Sequence, residues 1–211
     1  MYLSKVTVGW HWAKNPYELH RALWQMFPDR PEAERDFLFR VEQTQFRLHA
    51  QVLMQSMTEP QTSQAAQLSA CKPIQFSIPE ASVLRFRLRA NPIKTIKDAK
   101  GRLNKKGELK SCRVPLVKEV DQHAWLVRKF DGIAELKTVQ IVTEAPLYFY
   151  KNKDRDKNTE KSNNRQGGKI NTVCYDGILT VTDSESFERL LLSGIGAGKS
   201  FGCGLLSIAR V

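Results

Sequence analysis

No stretch of this 211-residue chain approaches the roughly 20 consecutive apolar residues that a helix needs to span a bilayer. Its opening, MYLSKVTVGW, alternates like a strand and does not resemble a signal peptide, so a cytoplasmic location is the expectation. Cysteine is scarce: Cys71, Cys112, Cys174 and Cys203 lie far apart without a C-x-x-C pair. His11, His20, His49 and His123 add no ligand-like spacing beside them, which argues against a zinc site. Also missing is the aromatic-rich RNP1 string of an RRM, the module that reads single strands by stacking bases on its sheet. The string GKS at 198–200 resembles the end of a Walker A motif, but the glycine required five places earlier is serine at 193. Its context is reversed as well, because a P-loop leads from strand to helix and this loop leads from helix to strand. Nucleotide hydrolysis is therefore disfavoured.

What is present is positive charge, and it is concentrated. The formal net charge is +11, yet residues 1–84 hold eight basic and eight acidic side chains. Residues 85–118 hold twelve basic and two acidic, and residues 151–169 hold seven and three. A cationic segment on an otherwise balanced chain is the footprint of a polyanion, most often nucleic acid, whose counterions are released when Lys and Arg take their place. A membrane-lying segment would show an amphipathic helical pattern, which this run lacks. Hydrophobic residues at 41% and charged residues at 26% are those of a folded globular protein.

The periodicity of apolar residues predicts an α+β fold built as two tandem ferredoxin-like (RRM-like) βαββαβ domains, over residues 1–80 and 81–211. A single larger α+β domain is the alternative. Residues 2–9 alternate as a strand; Asn15, Pro16 and Glu18 form a capping-box-like start to a helix reaching about Phe27, with Leu19, Ala22, Leu23, Met26 and Phe27 as its apolar stripe. Strands are predicted at 36–42 and 46–55, a second helix around Thr62 to Leu68, and a fourth strand from Pro73 to Ile78. The order then repeats. Residues 83–91 form a strand with Arg85, Arg87 and Arg89 on one face, followed by a long basic loop and a helix from Lys118 that offers Val120, Trp125, Leu126 and Phe130 for packing. Strands at 133–142 and 170–181 pair, with a polar, apolar-free insertion between them at residues 151–168, and Asp183 caps a last helix through Leu192.

Two constellations carry chemistry. Tyr17 and His20, three apart on the first helix, share a face beside the apolar stripe, with Trp24 continuing it. Histidine exchanges a proton near neutral pH, and a tyrosine hydroxyl donates to a phosphate oxygen. That suffices for RNA cleavage, because RNA supplies its own 2′-hydroxyl nucleophile and needs only alignment, proton transfer and positive charge. The second is GIGAGKSFGCG at 194–204, where five glycines allow close backbone approach to phosphate and Lys199 and Ser200 add contacts. A packing turn is the other reading of that loop. A structured RNA hairpin, read by shape and backbone, is the substrate that suits arginines in place of rings.

The strings NPYELHRALWQMFPDRPEAERDFLFRVE, RFRLRANPIKT, CRVPLVKE, QHAWLVRK and GIGAGKSFGCGLLSI together resemble the CasE family, the type I-E CRISPR-associated endoribonucleases of the Cascade complex, over nearly the whole chain. The resemblance implies metal-independent cleavage of CRISPR repeat hairpins in precursor crRNA by 2′-hydroxyl attack, with no cofactor. The products implied are a 2′,3′-cyclic phosphate or 3′-phosphate and a 5′-hydroxyl. It also implies partners: the repeat hairpin, the mature crRNA that the enzyme goes on holding, and the other Cascade subunits, with the isolated protein monomeric and off the membrane. The catalytic pair would be His20 for proton transfer and Tyr17 for the phosphate. Arg21 is a third RNA partner, and Arg85, Arg87, Arg89, Lys94, Lys97, Arg102, Lys105, Lys106, Lys110 and Arg113 are candidates for the hairpin backbone and groove. Gly196, Gly198, Lys199 and Ser200 would lie near the cut. The insertion at 151–168 is longer than the family pattern. Binding without cutting, and a purely scaffolding role in Cascade, are the two other readings that the same basic segment supports.

Overall fold

The computed structural model describes residues 1–28, 34–98, 100–104, 106–151 and 166–211. Alternation sets its first strand: in β1 (Tyr2–Gly9) Ser4, Val6 and Val8 are buried while Lys5 and Gly9 are exposed. A single turn that periodicity does not announce, α1 (Trp10–Ala13), leads into α2 (Pro16–Trp24). The start of α2 is the one predicted: the Asn15 side chain accepts the Tyr17 N–H at 3.2 Å, and Pro16 occupies a first-turn position where no N–H is needed. Glu18 pairs with Arg21 at 3.2 Å. The helix stops earlier than predicted. The N–H groups of Met26 and Phe27 bond the carbonyls of Leu23 and Trp24 at 3.1 and 3.0 Å, a three-residue spacing that tightens the chain before Pro28, which itself disfavours helical backbone at residue 27. Met26 and Phe27 still join Leu19, Ala22 and Leu23 in the core.

β2 (Phe37–Gln45), β3 (His49–Ser56) and β4 (Ala66–Pro73) complete a four-stranded antiparallel sheet in the order β2-β3-β1-β4. The helix predicted around Thr62 to Leu68 does not form. Ser63 turns the chain instead, bonding Ala66 through backbone and hydroxyl, and Ala66–Pro73 pairs with the free edge of β1, Val6 opposite Leu68 and Tyr2 opposite Pro73. An unpaired row of backbone groups beside β1 outweighs weak helical propensity in a polar segment. The fourth strand accordingly comes earlier than the predicted 73–78, and Ile78 is buried in the other core.

The rest of the chain forms a second sheet with the same strand order. β5 (Val83–Ala90) is followed by β6 (Ile93–Lys97) and β7 (Ser111–Pro115), which pair with each other as a separate ribbon. The stretch predicted as a long basic loop is therefore mostly hairpin, with Leu103 bridging Leu109 near its tip. Then come α3 (Glu119–Phe130), β8 (Ala134–Thr143), β9 (Leu147–Lys151), β10 (Gln166–Ile170), β11 (Val173–Val181), α4 (Ser184–Ser193) and β12 (Leu206–Arg210). The sheet order is β12-β5-β11-β8, so in both sheets the first strand lies between the third and the fourth. Each sheet is antiparallel throughout and has its own apolar cluster, which is the tandem ferredoxin-like arrangement, and among the described residues the helices of the first sheet are the single turn α1 and α2. In α3, Trp125, Leu126 and Phe130 are buried as predicted, whereas Val120 is 80% exposed; the inward position goes to Gln122, whose amide donates to the carbonyls of Leu116 and Val117. Asp183 caps α4 by accepting the Ser186 N–H at 3.0 Å. β9 and β10 pair at the two ends of the insertion predicted at 151–168, and residues 152–165 of it lie outside the described residues.

The sheets dock through buried polar contacts that fix their relation. Arg40, 5% exposed, donates from Nη1 to the carbonyls of Arg87 and Leu205 at 3.2 and 3.4 Å while Glu42 neutralises it at 2.7 Å. Gln55 donates to Leu191 O at 2.9 Å. Gly194, with φ of 72°, ends α4 against β2: a Cβ there would lie 2.7 Å from a Leu38 methyl. Among the described residues no helix is long and apolar enough to cross a membrane.

Candidate active site

α2, the start of β2 and the glycine-rich loop after α4 converge beside the first sheet, and His20 stands where they meet. The stripe of Leu19 and Leu23 seats the helix, which turns the next position toward β2. The His20 ring lies 5.7 Å from the ring of Phe37 and is stacked on Phe39 at 6.3 Å, with Trp24 edge-on at 6.3 Å. The sequence places His20 on an open flank, and here the structure differs: Nε2 is closed off from solvent and has no hydrogen-bond partner among the described residues. Burial, and secondarily the charge of Arg35, lowers the imidazole pKa to about 4, because a cation loses hydration there. The ring is therefore neutral at neutral pH. Tyr17, one turn earlier, is half-buried and gives its N–H to the Asn15 cap. Asn15 in turn donates to Tyr150 O at 2.7 Å, which ties the start of α2 to β9.

Arg35 was not among the residues that sequence reasoning selected, since it is the lone basic residue of the acidic string EAERD between a helix and a strand. In the fold its Nη1 donates to Ser200 Oγ at 2.9 Å, and its buried Nε has no partner among the described residues. Among the described residues no carboxylate forms an ion pair with it. Lys199 is next to Ser200; its ammonium donates to Ser193 O at 2.6 Å, and its pKa is lowered by burial and then by the charges of Arg35 and Lys129. Arg35, Phe37, Ser193 and Lys199 line a cavity of about 550 Å³ that also reaches Met57 and Arg189. Arg35 thus acts on both a neutral imidazole and a second cation, Lys199, and concentrates positive potential at this end of the cavity.

All five glycines of the loop have positive φ, and close packing explains several of them. A Cβ on Gly202 would lie 3.2 Å from the Phe39 ring, and one on Gly196 would lie 2.8 Å from Trp125. Gly198 starts the 3-10 turn Lys199–Phe201 in left-handed backbone, near Asn91 and Cys203. Gly196 thus serves contact with α3, and the part of the loop that faces the cavity is Lys199.

Residues 1–210 match the family model described as CRISPR associated protein. Over 209 residues the chain is 44% identical to the CRISPR system Cascade subunit CasE of Escherichia coli strain K12, covering 99% of each sequence. The chain belongs to the CRISPR-associated protein family. Among solved structures, the CRISPR-associated protein Cas6e from Escherichia coli K-12 matches it with a TM-score of 0.82 and 42% identity over the whole of both chains. The CRISPR endoribonuclease Cse3 bound to a 19 nt RNA matches with a TM-score of 0.74 and 29% identity, again over the whole of both.

The basic residues of this CRISPR-associated protein fall into two settings. Lys94, Lys97, Lys106, Lys110 and Arg113 are exposed along the β6–β7 ribbon. Arg102, on the same ribbon, is held by Asp98 at 2.5 Å, and Lys105 lies outside the described residues. On β5, Arg85 is exposed, but Arg87 pairs with Asp176 at 2.7 Å and Arg89 with Glu144 at 2.5 Å. Arg21 is occupied by Glu18.

Proposed function

We propose that this protein is a metal-independent endoribonuclease that cleaves CRISPR repeat hairpins in precursor crRNA and stays on the mature crRNA as a Cascade subunit in the cytoplasm. The observation that carries the chemistry is the neutral His20 imidazole set against the Arg35, Lys199 and Ser200 cluster. The names of its relatives, an endoribonuclease holding RNA and a Cascade subunit, support the substrate and the partners.

A neutral imidazole accepts the proton of the 2′-hydroxyl as the 2′-oxygen attacks phosphorus. Protonated, it supplies the proton that the departing 5′-oxygen needs. The P–O5′ bond breaks, leaving a 2′,3′-cyclic phosphate, or after hydrolysis a 3′-phosphate, and a 5′-hydroxyl. Tyr17 donates to a nonbridging oxygen, and Lys199 adds charge next to the phosphate. The β6–β7 ribbon lies along the RNA hairpin backbone. The chain divides near residue 80, between a portion bearing the catalytic helix and a portion bearing the ribbon and glycine loop.

Incubation of a labelled repeat hairpin with the protein in EDTA tests this. A single cut by wild type, lost at least a hundredfold in His20→Ala and lost with deoxyribose 5′ to the scissile phosphate, is the expected result. Tight binding without a cut makes the protein an RNA-binding subunit, and a cut that requires metal overturns the mechanism.

A further inference from the structure

We infer that Arg35 is a further catalytic residue, gripping the scissile phosphate through the Nε and Nη2 edge of its guanidinium while Nη1 stays on Ser200. The inference rests on the endonuclease reading above and adds to it the group that meets the charge developing on the phosphate. Three observations converge. Nη1 is anchored at 2.9 Å, which fixes the plane of the fork. The buried Nε is unpartnered, and His20 Nε2 in the same cluster is buried and unpartnered too. A buried polar atom without a partner is destabilising, and a cluster holding two is relieved by a ligand that pairs with them. Finally, Arg35 acts electrostatically on both His20 and Lys199, so an anion between the two cations would replace their repulsion with attraction and sit within reach of the neutral imidazole.

A phosphate has the shape this edge recognises. The two parallel N–H groups of a guanidinium fit two oxygens of one phosphate, which an ammonium on a flexible stem does not match. As the 2′-oxygen bonds to phosphorus and the 5′-oxygen leaves, negative charge accumulates on the nonbridging oxygens, and a fixed cation there lowers the barrier. Both orphaned atoms are covered in the RNA-free protein, so binding includes a small movement of these side chains toward the adjoining cavity.

The test is single-turnover cleavage at saturating protein for wild type, Arg35→Gln, Arg35→Lys and Ser200→Ala, with dissociation constants and melting temperatures measured alongside. Arg35→Gln is expected to slow cleavage by about 10²–10³-fold, with affinity changed by less than about tenfold. Arg35→Lys should fall between it and wild type, and Ser200→Ala should lose less because the guanidinium remains. Replacing one nonbridging oxygen by sulfur should slow wild type for one stereoisomer only, and that preference should vanish in Arg35→Gln. The pH profile gives a separate readout. Among the described residues Arg35 is the charge that acts on His20, while the Glu18–Arg21 pair on its own helix is closed on itself and Lys199 of the glycine loop is coupled to Arg35. Losing the Arg35 cation should therefore move the acid limb upward in pH. Cleavage by Arg35→Gln within about threefold of wild type, or an unchanged sulfur preference, overturns the inference and leaves His20 standing. A wild type that never cuts removes the endonuclease reading itself.

Discussion

The β6–β7 ribbon and the outer face of β5 are both lined with basic side chains, and they differ in whether that charge is already spent. On β5, Asp176 from the neighbouring strand and Glu144 from the end of β8 reach Arg87 and Arg89, the latter with only 13% of its side chain exposed. Among the described residues the ribbon pairs only with itself, and of its cations Arg102 alone has an ionic partner. A paired arginine attracts phosphate only after giving up its carboxylate, whereas an unpaired lysine offers its full charge. The ribbon therefore holds more unpaired positive charge than β5, although both regions belong to one basic run.

The comparison breaks most visibly on the ribbon side. Changing Lys94, Lys97, Lys106 and Lys110 together to Gln should weaken hairpin RNA binding by at least about tenfold at physiological salt and flatten the salt dependence by roughly 3–4 units of log–log slope. Cleavage of RNA already bound should change little, since none of these lysines lines the cavity beside Arg35 and Lys199. Titrations at several salt concentrations decide it. An unchanged slope would show that the ribbon does not meet the backbone.

A comparable contrast in burial separates His20 from the surface histidines. Its folded pKa, about 4, lies below the ordinary value of 6.5. The unfolded chain therefore binds the proton first, and the His20 contribution to stability, complete above about pH 6.5, is lost as pH falls toward 4. The full shift corresponds to an upper bound of about 3.5 kcal/mol, less what solvent at the partly open ring screens. His20→Gln should flatten the fall in melting temperature over that window. Parallel curves for the two proteins would show that the imidazole is solvated.

How much of this was legible in the chain follows from what each feature depends on. Local features were readable: the Asn15 and Asp183 caps, the α2 stripe, the alternation of β5 and the proximity of Tyr17 and His20 on one helix. Features settled by a distant partner were not. Whether 62–68 becomes helix or strand depends on the open edge of β1, sixty residues back. Arg35 looks like any residue of a mixed-charge linker until Ser200, 165 positions away, closes on it. The count of twelve basic residues to two acidic over 85–118 is correct as a count. It cannot register that Asp176 and Glu144 answer two of them.

The smallest effect is also the sharpest test of that last point. Arg87→Ala removes an arginine whose Nε is 2.7 Å from Asp176 and whose side chain is about half exposed. If the pair were an RNA contact in waiting, the loss would match that of a ribbon lysine. With the charge already matched, deletion leaves an unmatched Asp176 and changes RNA affinity by less than about twofold, and an exposed ion pair of this kind contributes at most about 1 kcal/mol to stability. Lys97→Ala, measured in parallel, should cost more affinity despite removing the same formal charge. Equal losses would mean that RNA pulls Arg87 away from Asp176, and that the face of β5 belongs to the binding surface after all.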